Sequence, residues 1–71
     1  MIDIATIPEE ELRKELKESY DDITVCNDAL AHGIFEYSGG FVQVRLMINE
    51  RIAKKIEAEL ARRGKSAVEV Q

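Results

Sequence analysis

The sequence predicts an all-α fold, an antiparallel two-helix hairpin that self-associates into a helical bundle. Three observations carry this expectation. Apolar residues recur at helical spacing through "TIPEEELRKELKESYDDITVCNDALAHG". A second helical pattern culminates in "INERIAKKIEAELARRG". A glycine, Gly33 or Gly64, closes each pattern where a helix commonly needs a left-handed residue.

The first helix is expected over residues 7–32. Thr6 caps it with Glu9 three residues on, Pro8 sits in the first turn, and Glu9, Glu10 and Glu11 face the positive end of the dipole. Leu12, Leu16, Ile23 and Leu30 fall within about 40° of one another, flanked by Tyr20 and Cys26. Gly33 stops the helix, with Ile34 placed for the accompanying hydrophobic contact.

The segment 34–48 supports two readings. As an α+β alternative, "IFEYS-GG-FVQVRLMI" forms a short hairpin around Gly39 and Gly40, with Val42, Val44, Leu46 and Ile48 alternating, giving αββα. In the reading we follow, 33–40 is a turn and the second helix spans 41–63. Phe41, Val42, Leu46, Ile48, Ile52, Ala53, Ile56 and Leu60 then share one broad face. Its helical phase runs into the next segment without a glycine or proline. Its length, about 34 Å, also matches the first helix. Arg62, Arg63 and Lys65 suit the negative end of its dipole, and 64–71 is expected to fray.

The whole chain of 71 residues makes one small domain. Domains of this size bury only about 60% of their unfolded surface and commonly need disulfides, metal or oligomerisation. One cysteine and one histidine supply neither a disulfide nor four zinc ligands. The second helix's broad apolar face exceeds what one narrow-striped helix can cover, so a homodimeric four-helix bundle is expected.

Charge is asymmetric. Residues 1–38 hold ten acids and three bases, whereas 39–71 hold four acids and seven bases. In the hairpin, positions whose numbers add to roughly 75 lie level, bringing Leu16 near Leu60, Ile23 near Ile52, and Glu9–Glu11 beside Arg62, Arg63 and Lys65. The net charge of −4 opposes general electrostatic binding to nucleic acid or anionic lipid. Arg51, Lys54, Lys55 and Arg62 form a basic strip that reads as a solvated face before it reads as an RNA contact. A lone thiol, no signal peptide and no long apolar run point to a cytoplasmic protein without a membrane segment.

No catalytic, metal-binding or cofactor-binding motif is present, and the expectation is a non-enzymatic interaction or assembly module with no cofactor. Cys26 reads as a small buried hydrophobe, and Asp28 and His32 as a solvated polar stripe. Asn27 and Asn49 are level and form a candidate buried polar layer that sets register. Phe35, Tyr37, Phe41 and Arg45 are candidate partner or ligand contacts at the turn, with Arg45 alternatively pairing Asp28.

The order of "ALAHGIFEYSGG" and "IEAELARRG", over roughly residues 29–64, resembles short structural proteins of phages and prophages, including head-to-tail joining proteins. That resemblance implies an αββα arrangement and a role as a structural adaptor. This chain is acidic in places where those proteins are basic.

Overall fold

Ile7 is extended, as residues before a proline tend to be, and Pro8 is itself extended at ψ 149°, so the first long helix begins at Glu9. The computed structural model describes residues 3–65. A 3-10 turn, Ile4–Thr6, is followed by α1 (Glu9–Ala31), β1 (Glu36–Tyr37), β2 (Gly40–Phe41) and α2 (Val42–Arg62). The expected tail lies outside the described residues from position 66 onward.

The expected Thr6–Glu9 capping box does not form, and Pro8 is the N-cap of α1 rather than part of its first turn. Asp3 takes over the capping role one turn earlier. Its carboxylate accepts from the Ala5 amide at 3.0 Å, and its carbonyl accepts from the Thr6 hydroxyl at 2.7 Å. With Thr6 committed to Asp3, α1 relies on the acids of its first turn, and Glu9 is also bonded to Arg13 at 2.8 Å.

Both helices stop as expected. The amides of Gly33 and Ile34 donate to Leu30 and Ala29 (3.0 and 2.9 Å), and those of Gly64 and Lys65 donate to Ala61 and Leu60 (3.0 and 2.8 Å). Gly33 and Gly64 have φ of 75° and 78°, where a side chain would strain the backbone.

The two readings of 34–48 are each correct over part of it. Glu36 pairs with Phe41 and Tyr37 with Gly40, in an antiparallel ladder closed by Ser38 and Gly39. The turn therefore falls one residue before the glycine pair. From Val42 onward the chain is helical, and the alternation Val42, Val44, Leu46, Ile48 does not mark a strand. An isolated hairpin is marginal in water, whereas each added helical residue gains an internal hydrogen bond. The boundary is stitched by the Val42 amide, which donates to the Phe35 carbonyl at 3.0 Å. This bond satisfies one of the amides that a helix start leaves unpaired.

The helices pack side by side. Leu12 and Leu16 from α1 meet Ala53, Ile56 and Leu60 from α2, with Ile4, Ile7, Tyr20 and Ile23 against this cluster. The broad apolar face expected on α2 divides in two. Val42, Ala53, Ile56 and Leu60 are buried, whereas Phe41, Ile48 and Ile52 are exposed. Ile23 is half-buried against the core, and Ile52 is partly exposed. Among the described residues, no helix is long and apolar enough to cross a membrane.

Candidate interaction surface

The turn end carries the residues singled out as partner contacts. Phe35 and Phe41 are 63% and 57% exposed, too solvated to be closing a core. Tyr37 is also exposed, and its ring lies under the Arg45 guanidinium, whose carbon is 5.7 Å from the ring centroid. Gly39 leaves room for it, because a Cβ there would come within 2.8 Å of the Tyr37 ring and displace it.

Arg45 bonds to Asp22 at 2.7 Å rather than to Asp28. The Asp22 carboxylate raises the Arg45 pKa above its ordinary value, with further contributions from Cys26 and Tyr37. Arg45 thus ties α1, α2 and the hairpin together. Its guanidinium is engaged by Asp22 on one side and by the Tyr37 ring on the other. Asp22 was absent from the sequence-derived candidates, because a long-range pair has no local spacing rule.

The candidate polar layer is not assembled within one chain. Asn49 is buried, but its amide donates to the Arg45 carbonyl of its own helix at 2.9 Å. Asn27 is exposed. A one-residue step turns it away from Cys26, which is buried. Asp28 and His32 remain on the exposed face, where the His32 ring contacts the Asp28 carbonyl at 2.8 Å. Among the described residues, no group of three or more His, Cys, Asp or Glu side chains is placed to hold a metal ion.

At the opposite end, polar groups are tightly matched. Glu59 is buried and accepts from Arg62 and Arg63, each at 2.6 Å. These bonds hold its pKa down at about 2. Arg63 also donates to the carbonyls of Ile4, Ala5 and Ile7 at 3.2, 3.2 and 2.8 Å, fastening the 3-10 turn to α2. Of the expected contacts with the first-turn acids, Lys65 reaches Glu9 at 3.6 Å. Arg62 and Arg63 bond to Glu59 instead, since a partner three or four residues back on the same helix is nearer. That spacing was readable in "EAELARRG" and was overlooked as a source of a buried carboxylate.

Among the described residues, apolar surface is open at the turn and beside the 3-10 turn. A depression of about 320 Å³ at the turn is lined by Leu30, Phe35, Phe41, Gln43, Val44 and Met47. A larger open groove of about 1190 Å³ runs between the helices near the 3-10 turn. Ile4, Ile7, Leu12, Ile52 and Ile56 contribute its apolar lining, and Glu11, Glu15, Lys55 and Arg62 contribute charges.

No family model matches the chain, and neither do any curated protein or solved structure.

Proposed function

We propose that this chain is a non-enzymatic module that associates with itself and serves in assembly through protein–protein contact. One observation carries the reading. α2 exposes Val44, Ile48 and Ile52, a row at steps of four, in addition to the row it buries against α1. Met47, Phe35 and Phe41 extend this exposed apolar surface toward the turn. Contiguous apolar surface of this kind on a small chain marks an interaction face. A second protomer packed on that face would complete a four-helix bundle. Light scattering at micromolar concentration tests this. A mass of two chains or more is expected, and a stable folded monomer overturns the reading.

A second reading has one observation in its favour. The element order α1, β1, β2, α2 is the one implied by the resemblance to head-to-tail joining proteins. On this reading the exposed turn seats the chain as an adaptor in a phage-derived structure. Capsid or tail genes beside the coding sequence would support it, and neighbours of unrelated function would count against it. The basic strip is a poorer candidate for nucleic acid. Arg62 is engaged by Glu59, and the acids of α1 border the same groove as Lys55 and Arg62. No mobility shift with RNA or DNA is expected at about 50 mM salt, where phosphate contacts are strong.

A further inference from the structure

Two matched seams begin at the rims of the large groove and continue along the helices toward the turn. On α1, Glu11, Glu15, Glu18, Asp22, Val25 and Ala29 follow one another by alternating steps of four and three. On α2, Val44, Ile48, Arg51, Lys55, Ala58 and Arg62 do the same. Such steps keep residues on one side of a helix in line with a neighbouring helix. Glu11 and Glu15 border the same groove as Lys55, Ala58 and Arg62, so both seams face the same side of the molecule.

Printed along the hairpin, the seams are complementary. Contacts between Tyr20 and Glu57, Glu9 and Lys65, and Asp22 and Arg45 show that positions adding to roughly 73 lie level. Glu11 is then level with Arg62, Glu18 with Lys55, and Asp22 with Arg51. Val25 is level with Ile48, and Ala29 with Val44. Acid meets base at three of the four levels in one half of the seam, Glu15 lying level with Ala58, and apolar meets apolar over the other half. Within one chain these acids and bases do not pair. Arg62 turns to Glu59, Asp22 holds Arg45, and Glu18 and Lys55 are exposed. Val25, Val44 and Ile48 are each more than half exposed, at 58%, 52% and 52%.

We propose that the groove is covered by a second copy of this chain, related by a twofold axis parallel to the helices. α1 of each copy then packs along α2 of the other. This rests on the self-association reading and gives it a geometry. A twofold axis in this direction leaves every residue at its own height, so the level pairs within a chain become the contacting pairs between chains, each made twice. Every neighbouring helix pair is antiparallel, as in an up-and-down bundle. A twofold axis across the helices would instead lay α1 on α1 in opposite directions. Glu11 would face Ala29 and Glu15 would face Val25, stripping water from carboxylates against apolar side chains. Charge and hydropathy both select the first arrangement.

Sedimentation of the full chain with seam variants tests the geometry, with circular dichroism confirming that each variant stays helical. Lys55→Glu sets two like-charge contacts across the interface and is expected to raise the dimer dissociation constant about tenfold. The double variant Glu18→Lys/Lys55→Glu restores the pairs and should return it close to the wild-type value. Failure of that rescue, or no effect of Lys55→Glu on a chain that still dimerises, overturns the geometry and leaves self-association standing. A wild-type chain that sediments as a monomer overturns both. Cross-linking provides a second measurement in a Cys26→Ser background. Glu18→Cys mixed with Lys55→Cys should give a disulfide-linked dimer on oxidation, and neither variant should do so alone. A linked dimer from Glu18→Cys alone is the signature of the crossed arrangement and overturns the proposal.

Discussion

The two ends of the hairpin solve opposite problems. At the end where the 3-10 turn meets the last turns of α2, Leu12, Leu16 and Leu60 are almost wholly buried, and Glu59 and Arg63 bind the surrounding backbone and side chains together. At the turn end, Phe35, Phe41, Val44, Met47 and Ile48 are exposed, and the ordering contacts are one arginine, a four-residue ladder and two backbone caps. Apolar content is similar at both ends, so composition does not account for the difference. It lies in what each end has to pack against. Two helices alone give Leu60 a partner in Leu16, but leave Ile48 and Val44 facing outward.

This contrast is broken most directly at the packed end. Leu60→Ala removes a fully buried side chain from the central cluster and should lower unfolding stability by about 2–5 kcal/mol. Phe35→Ala, at a position 63% exposed, should change monomer stability by no more than about 0.5 kcal/mol. Urea unfolding followed by circular dichroism checks both. Similar losses at the two sites would show that the turn end is as tightly packed as the other.

The next effect is electrostatic and confined to the same end. Glu59 has its folded-state pKa depressed to about 2 by bonds from Arg62 and Arg63, against an ordinary value of 4.5. A depressed carboxylate stabilises the fold above its unfolded pKa, and this contribution is lost as pH falls toward the folded one. Stability is therefore expected to decline between about pH 4.5 and about pH 2. Glu59→Gln should flatten this part of the pH profile and lower the urea midpoint at neutral pH. An unchanged acid profile in the variant would place the acid-sensitive groups elsewhere, with Glu9, also lowered by Arg13, the first to examine.

How far each end was legible in the sequence follows the same division. Leu12 and Leu16 mark α1's buried face with Ile23 and Leu30 half-buried along the same stripe, and Gly33 and Gly64 mark both stops, because these signals are local. The hairpin was ambiguous because Val42 to Ile48 fits both periods, and only the cost of a lone two-stranded ribbon decides between them. Asn27 is exposed within one chain, and Arg45 pairs with Asp22, more than one turn from the Asp28 that its position suggests. Pair choice across helices depends on register to within one turn, and a level rule of roughly 75 is coarser than that. The division of α2's apolar face was also hidden. Periodicity tells which residues are apolar, not how many helices are present to cover them.

A smaller effect tests the caps at the two helix ends. Gly33→Ala puts a side chain at φ 75° at the turn end, where no atom lies within 4 Å of its Cβ, so the cost is backbone strain alone. It should amount to about 1–2 kcal/mol. Gly64→Ala, at φ 78° and equally open, carries the same strain. Equal losses by urea unfolding would show that the two caps act alike despite their different surroundings. A smaller loss at Gly33 would show that the turn end relaxes around the substitution.

The smallest effect lies between the two ends, where the Tyr20 hydroxyl donates to the Glu57 carboxylate across the helix pair. Burial and that carboxylate push the Tyr20 pKa up to about 12, from an ordinary 10. A raised acid contributes stability that is complete below its unfolded pKa and is lost as pH rises through the folded one. Alkaline unfolding should therefore draw on Tyr20 between about pH 10 and about 12, whereas Tyr37 lies exposed at the turn. Ultraviolet titration of tyrosinate absorbance should show a late step near pH 12 that is missing in Tyr20→Phe. At neutral pH that variant should lose about 0.5–1.5 kcal/mol, the net value of one hydrogen bond. A Tyr20 that titrates near its ordinary value of 10 would mean that the cross-helix bond is not held in solution. The middle of the hairpin would then resemble the open turn end rather than the packed one.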